Sequence, residues 1–234
     1  MKKHYKAIIL AGGKGTRLYP ITKQIPKPLL PIGKKPILNY LVDLFLAHGI
    51  QDIALLVSKE FQDDFAWWNK RYYPNLKIEI CTEQEPLGTF GGLLLLKDWL
   101  KGGPFFLTNG DELKEIDLAE MALFHERVGS LGTIALTEVL NPREYGVVVA
   151  NKDLVEEFLE KPENPPTNFI SSGLYLFSPG IFEYHPGLQF TMVEKDIFPK
   201  LVKEKKLAAF KSKGRWVDCG TWERYDKALK EWTK

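Results

Sequence analysis

With 234 residues, 44% of them hydrophobic and 26% charged, the chain has the make-up of a soluble enzyme able to bury the core of one large α/β domain. A net charge of +2 gives no basic excess, so nucleic acid is not an expected partner. Cys81 and Cys219 are too few and too far apart for a zinc site or a disulfide framework. No run approaches the roughly 18–20 apolar residues of a membrane span, and the N-terminal apolar run is too short for a signal peptide, so no membrane partner and a cytoplasmic protein are expected.

In chain order, Ala7–Leu10 reads as a buried strand, and Pro36–His48 as a helix with proline in its first turn and Gly49 at its end. Ile53–Val57 predicts a second strand, Phe61–Arg71 a helix, Ile78–Cys81 a strand, Phe90–Leu100 a helix, Phe105–Leu107 a strand and Leu118–Val128 a helix. This alternation predicts a mostly parallel sheet covered on both faces. From Thr133 the rhythm changes. Thr133–Val139, Gly146–Ala150, Leu154–Phe158 and Ile170–Phe177 predict strands with little room for helices between them, an inserted and partly antiparallel region. Val193–Lys203 and Trp222–Trp232 predict helices around a last strand at Trp216–Val217. Trp67, Trp68, Tyr72 and Tyr73 stand at helical spacing and are expected to cover the core or form a subunit contact. No internal repeat or low-complexity tract is present.

The first strand runs straight into Gly12, Gly13, Lys14, Gly15, Thr16 and Arg17. Glycines there let the backbone turn tightly and free consecutive N–H groups to face an anion. Arg17 and Lys27 add positive charge, one as a fork and one as a point. This is chemistry for nucleotide phosphates. A Walker loop is excluded because Gly15 follows Lys14. The dinucleotide fingerprint is excluded by Leu18 and by the prolines at 20, 26, 28 and 31, which leave no helix to follow.

The ordered string Gly-Gly-Lys-Gly-Thr-Arg-Leu-Tyr-Pro-Ile-Thr, then Pro26-Lys27-Pro28-Leu29, then Lys35-Pro36-Ile37-Leu38, closely resembles the signature of sugar-1-phosphate nucleotidyltransferases, also called sugar-nucleotide pyrophosphorylases. The resemblance runs from about Lys6 to Ala228 and is strongest to mannose-1-phosphate and heptose-1-phosphate guanylyltransferases. It implies one Rossmann-like three-layer domain over residues 1–234, with a mixed, mostly parallel sheet and an inserted antiparallel sugar-binding region. About residues 1–130 would bind nucleotide and about 131–234 the sugar phosphate. The C-terminal β-helix domain of many relatives is not expected.

It also implies site residues. Leu10, Ala11, Gly12, Gly13, Lys14, Gly15, Thr16 and Arg17 would bind nucleotide, the Gly12–Thr16 backbone and Arg17 its triphosphate, and Lys27 the α-phosphate. Leu107–Asp111 and Trp216–Gly220 each place an acid beyond a short strand, where ligands of open α/β sheets bind. Asp111 and Asp218 resemble the family's metal positions and suit Mg²⁺, a hard cation; Arg17, Lys27 and Asp111 form the expected catalytic set. Glu83, Pro86, Gly88 and Thr89 match the nucleobase turn. Thymidylyl and many uridylyl relatives carry Gln where Glu83 stands. A carboxylate can accept from guanine N1–H and N2–H₂ together, which favours GTP, although it can also accept from uracil N3–H. Asn109, Tyr145, Gly146, Glu160, Lys161, Ser171 and Gly173 match sugar-phosphate positions. Ser171 departs from the usual Asn and shortens the reach there, and Phe90 is larger than the usual Ala or Gly. The implied reaction joins GTP to a manno-configured sugar 1-phosphate and releases pyrophosphate. A uridylyl- or thymidylyltransferase, a more distant phosphocholine-type cytidylyltransferase, and a non-catalytic sugar-nucleotide sensor stay open as alternatives. Family habit suggests a homodimer.

Overall fold

The computed structural model describes residues 4–232. In chain order its regular elements are β1 (Lys6–Leu10), β2 (Pro31–Ile32), β3 (Lys35–Pro36), α1 (Ile37–Ala47), β4 (Asp52–Ser58), α2 (Gln62–Tyr72), β5 (Glu79–Glu83) and α3 (Gly88–Gly91). There follow β6 (Phe105–Asn109), β7 (Glu112–Lys114), α4 (Leu118–Val128), β8 (Gly132–Glu138), β9 (Gly146–Asn151), β10 (Leu154–Glu160) and β11 (Phe169–Phe177). The chain continues with α5 (Phe198–Lys203), β12 (Leu207–Lys211), β13 (Trp216–Asp218) and α6 (Trp222–Glu231). Among the described residues no helix is long and apolar enough to cross a membrane.

The chain forms two compact units whose borders follow no single cut near residue 130. Among the described residues, one comprises Lys6–Pro86, Thr108–Ile116 and 214–232; the other comprises Leu87–Leu107, Asp117–Lys213 and residues 4–5.

In the first unit β1, β4 and β5 run parallel, with Ile8 opposite Ala54 and Ser58 opposite Glu83. Ala7, Ile8, Ile9 and Ile53–Val57 are buried, as continuous apolar strands covered on both faces must be. Helix α1 buries Leu38, Leu41, Val42 and Phe45, the i, i+3, i+4, i+7 stripe of a core-facing helix. Of the aromatic cluster on α2, Trp68 is buried and donates from Nε1 to Asn39 Oδ1 at 2.8 Å, whereas Trp67 is 65% exposed. A second core of Leu18, Leu30, Ile32, Ile37, Leu113, Cys219, Tyr225 and Ala228 fastens the loop after β1 to β7, β13 and α6.

In the second unit β8 lies between antiparallel β11 and parallel β12, and β10 pairs antiparallel with β12 and with β9. The partly antiparallel insertion is therefore present. Helix α4 occupies the expected Leu118–Val128, capped by the Asp117 carboxylate on the Ala119 and Glu120 amides and ended by Gly129.

Two expected helices are shorter. Phe90–Leu100 is instead the single turn α3 followed by a 3₁₀ segment, Gly92–Leu96, because Gly91 and Gly92 form a weak helix interior. Val193–Lys203 is divided into a π turn at Val193–Ile197 and α5, with Pro199, which lacks an N–H, in the first turn of α5. The strands β7 and β12 and the β2–β3 hairpin carry no expectation from sequence.

Candidate active site

Three strand ends of the first unit converge. The Leu10 carbonyl at the end of β1 accepts from the Gly110 amide at 2.9 Å, and a Cβ on Gly110 would lie 2.6 Å from that oxygen. Only glycine permits this approach, which brings Asp111 to the mouth of the loop at Gly12–Arg17. From the other side β13 pairs antiparallel with β7, Asp218 opposite Glu112, and the Cys219 amide donates to the Asp111 carbonyl at 3.0 Å. Two acids more than a hundred positions apart thus become neighbours.

Each acid has a cation. Lys27, a buried side chain on the 3₁₀ turn Lys27–Leu29, donates from Nζ to Asp111 Oδ2. Arg224 Nη1 donates to Asp218 Oδ2, and the Gly220 amide donates to Asp218 Oδ1 at 2.5 Å. The Arg17 guanidinium lies against the same turn, its Nη2 2.9 Å from where a Gly220 Cβ would stand. Burial acts to raise the Asp111 pKa, but the Lys27 charge and its hydrogen bond outweigh it and hold the carboxyl below its usual range. Asp218 moves the other way: burial, then the Asp111 charge, push it up against the pull of Arg224. Burial and the surrounding carboxylates also push the Cys219 thiol far up, so it stays protonated and is no nucleophile.

Behind the acids lies a network that sequence reading missed. Glu112 accepts from Asn109 Nδ2 at 2.8 Å, Trp216 Nε1 at 2.9 Å and Lys114 Nζ at 3.1 Å, and Lys114 also donates to Thr108 Oγ1 at 2.9 Å. Glu112 and Lys114 are both buried. Burial pushes Glu112 up to about 7, against the pull of Lys114. The signal available in sequence was the Glu-Leu-Lys alternation, which puts two opposite charges on one face of a strand. Arg224 and Trp216 carried no signal of their own.

Among the described residues no group of three or more His, Cys, Asp or Glu side chains forms a metal cage. Two neighbouring carboxylates, the charge of Asp111 pushing up the titration of Asp218, fit a divalent cation that completes its shell with phosphate oxygens and water.

A cleft of about 640 Å³ lies in the first unit, lined by Gly12, Lys14, Thr22, Lys23, Ser58–Phe61 and Glu83–Pro86, with Tyr19 at its rim. It joins the expected phosphate loop to the expected base-reading Glu83. A Cβ on Gly12 would lie 2.8 Å from Glu83 Oε2 and 3.3 Å from the Ser58 amide nitrogen, so the carboxylate rests directly on the loop backbone. Thr22 Oγ1 donates to the Gly15 carbonyl at 2.8 Å and braces the loop from below.

The remaining expected residues divide between the units. Asn109 lies in the first, its amide held by Glu112. Gly88, Thr89, Tyr145, Gly146, Glu160, Lys161, Ser171 and Gly173 lie in the second. There Gly146 faces Glu160 across the β9–β10 ladder, the Lys161 amide donates to the Tyr145 carbonyl at 3.1 Å, and Lys161 Nζ is 3.3 Å from Glu160 Oε1. Ser171–Gly173 bulges from β11, with the Gly173 amide donating to Ser171 Oγ at 3.3 Å.

The Lys27–Asp111 pair gives the fold an acid limb. Because Asp111 titrates below its ordinary 3.8 when folded, the pair stabilises the protein above that range and stops doing so as pH falls through the folded value. Asp111→Asn should cost about 1–3 kcal/mol at neutral pH. Urea unfolding of wild type and variant should then converge as pH is lowered through the aspartate range; a gap independent of pH would contradict the assignment.

Comparison with known proteins extends this picture. The nucleotidyl transferase family pattern matches residues 6–234. The mannose-1-phosphate guanyltransferase of Schizosaccharomyces pombe is 39% identical over 226 residues, covering 92% of this chain and 61% of that protein. The chain thus spans about three fifths of the length of the curated relatives it matches. The crystal structure of HddC from Yersinia pseudotuberculosis complexed with GMP-PN is 31% identical with a TM-score of 0.83, covering 97% of this chain and 99% of that one. A UDP-glucose pyrophosphorylase complexed with UDP-glucose, 23% identical with a TM-score of 0.82 over 98% of each chain, shares the mixed-sheet, Rossmann-like α/β fold. A glycine loop opening from β1, two acids brought to its mouth and a family match over nearly every residue lead to one conclusion: the chain belongs to the nucleotidyl transferase family.

Proposed function

We propose that this protein transfers a guanylyl group from GTP to a manno-configured sugar 1-phosphate and releases pyrophosphate. The observation that carries the reading is the Glu83 carboxylate resting on the Gly12 backbone within one cleft. A base that donates two N–H groups to Glu83 would have its phosphates led onto the Gly12–Arg17 loop. The names of two relatives fit this reading, one a mannose-1-phosphate guanyltransferase and one a protein solved with GMP-PN.

In the proposed reaction an oxygen of the sugar phosphate, already anionic, attacks the α-phosphorus of GTP. The bond from that phosphorus to the α,β-bridging oxygen breaks, and pyrophosphate leaves with the electron pair. No general base is needed, so the residues work by positioning and neutralising charge. Arg17 and the loop amides hold the triphosphate, Lys27 faces the α-phosphate, and Lys161 holds the sugar phosphate. Asp111 and Asp218 would hold Mg²⁺, which when bound supplies charge neutralisation on the phosphates.

The test is pyrophosphate release with Mg²⁺ across GTP, UTP and dTTP, each paired with mannose 1-phosphate, glucose 1-phosphate and a heptose 1-phosphate. Turnover with GTP and a manno-configured sugar supports the proposal. Glu83→Gln should then lower the preference for GTP over UTP by about 5- to 150-fold, the value of a bidentate base contact worth about 1–3 kcal/mol. Wild-type preference for UTP or dTTP overturns the base assignment, and tight binding without turnover makes the protein a sensor.

A further inference from the structure

Glu194 has no place in the mechanism above, yet its carboxylate gathers hydrogen bonds from two separate parts of the chain. It lies in the second unit, on the five-residue π turn Val193–Ile197, a rare insertion that often marks functional positions. Oε2 accepts from Thr89 Oγ1 at 2.7 Å, and Oε1 accepts from the Tyr175 hydroxyl at 3.2 Å.

Both partners carry the linkage onward. Thr89 Oγ1 accepts from the Val193 amide at 2.8 Å, and the turn holding it is fixed by the Phe90 and Gly91 amides, which donate to the Thr191 carbonyl at 2.9 and 3.2 Å. The Tyr175 hydroxyl accepts from Ser171 Oγ at 3.3 Å. Tyr175 is 2% exposed, and its ring packs edge-on against Phe198 at 5.3 Å, so the hydroxyl has little freedom to turn elsewhere. An unbroken series of hydrogen bonds therefore runs from Ser171 through Tyr175 and Glu194 to Thr89. Each O–H in it points toward the carboxylate, the arrangement in which neighbouring bonds polarise one another.

Ser171 gives the series its meaning. Its hydroxyl, at a position the resemblance assigns to the sugar-phosphate pocket, bonds to Tyr175. Glu160, at the end of β10, adds its charge to burial in pushing the Glu194 carboxyl up, so the two acids share one electrostatic environment. Thr89 belongs to the base turn and Ser171 and Glu160 to the sugar-phosphate wall.

We infer that Glu194 is a positioning residue that couples the Gly88–Thr89 base turn to the sugar-phosphate wall at Ser171, so that each substrate is held better when the other is bound. The inference rests on the nucleotidyl-transfer reading for its substrates, but the linkage itself does not.

The experiment is a mutant cycle on the full chain, with Thr89→Val and Ser171→Ala made singly and together in wild-type and Glu194→Gln backgrounds. Kinetics use GTP and mannose 1-phosphate, with melting temperature measured for every variant. Glu194→Gln keeps the volume and one acceptor but sets an N–H against one of its donors. It should raise both KM values about tenfold, the effect of losing one hydrogen bond to a charged group, with melting little changed. Thr89→Val and Ser171→Ala should be non-additive in the wild-type background and additive in the Glu194→Gln background. Additivity in both backgrounds, or wild-type KM values for Glu194→Gln, overturns the coupling. If wild type turns over no substrate pair, the functional reading fails, and amide hydrogen exchange still decides the linkage. Joint loss of protection at residues 88–91 and 171–175 in Glu194→Gln supports it, and independent behaviour of the two segments overturns it.

Discussion

Replacing Lys27 with alanine is expected to lower kcat/KM for GTP by about 10²–10³-fold, the cost of about 3–4 kcal/mol seen when a preorganised donor to a developing anion is lost. The magnitude follows from the surroundings. Lys27 is buried, so its ammonium acts where water screens little, and its turn is bound to β2 and α1 through the second core of the first unit. Removing it also leaves Asp111 facing Asp218 without its ion-pair partner, which should raise the Asp111 pKa toward that of a buried acid. Activity of the variant should therefore fall more steeply on the acid side than that of wild type. Lys27→Arg should recover only part of the loss, because a fork cannot occupy the position of a point charge in a buried site. Near-normal turnover by Lys27→Ala, read as pyrophosphate release under saturating Mg²⁺, would refute the role.

Asp218→Asn should separate catalysis from folding. Asp218 is pushed up by burial and by Asp111, so its ionised form is held in the site at a cost to the fold. The amide removes that like-charge repulsion while its oxygen can still accept from the Gly220 amide; Arg224 loses its ion pair in exchange. Unfolding free energy at neutral pH is expected to fall less than the loss of a buried pair alone would cost, because relief of the repulsion from Asp111 offsets the loss of the Arg224 partner. Turnover should fall by about 10²-fold or more, the loss of a ligand to a charge-neutralising ion worth several kcal/mol. The Mg²⁺ concentration giving half-maximal rate should rise with it. An unchanged Mg²⁺ requirement would show that Asp218 does not hold the ion.

What was legible in the sequence was local. Strand β1 and its glycines stand side by side, so the glycine loop could be read from one stretch, and the place of Asp111 followed from an acid set just after an apolar strand. Helix α4 was legible to its ends because its Asp cap and Gly stop are neighbours of the apolar stripe. The expected helices at Phe90 and Val193 were curtailed by the Gly91–Gly92 pair and by Pro199, which break a helix from inside an otherwise apolar run. The Glu112 network was not legible, because its meaning depends on Trp216 arriving from 104 positions away. Glu194 was hidden for the same reason: Thr89 and Tyr175 are brought to it by the fold.

The pairing of β13 with β7 also bears on how the protein comes into being. A chain emerging from the ribosome makes β1, the glycine loop, Lys27 and Asp111 early and can begin to fold them, since synthesis is slow beside local structure formation. The strand carrying Asp218 is made long after its partner β7, and closing so long a loop is the slow kind of folding event. Nascent chains should therefore hold nucleotide phosphates on the loop before they possess the second acid. On the proposed reading, the order of synthesis is also the order of assembly, anion loop before second acid.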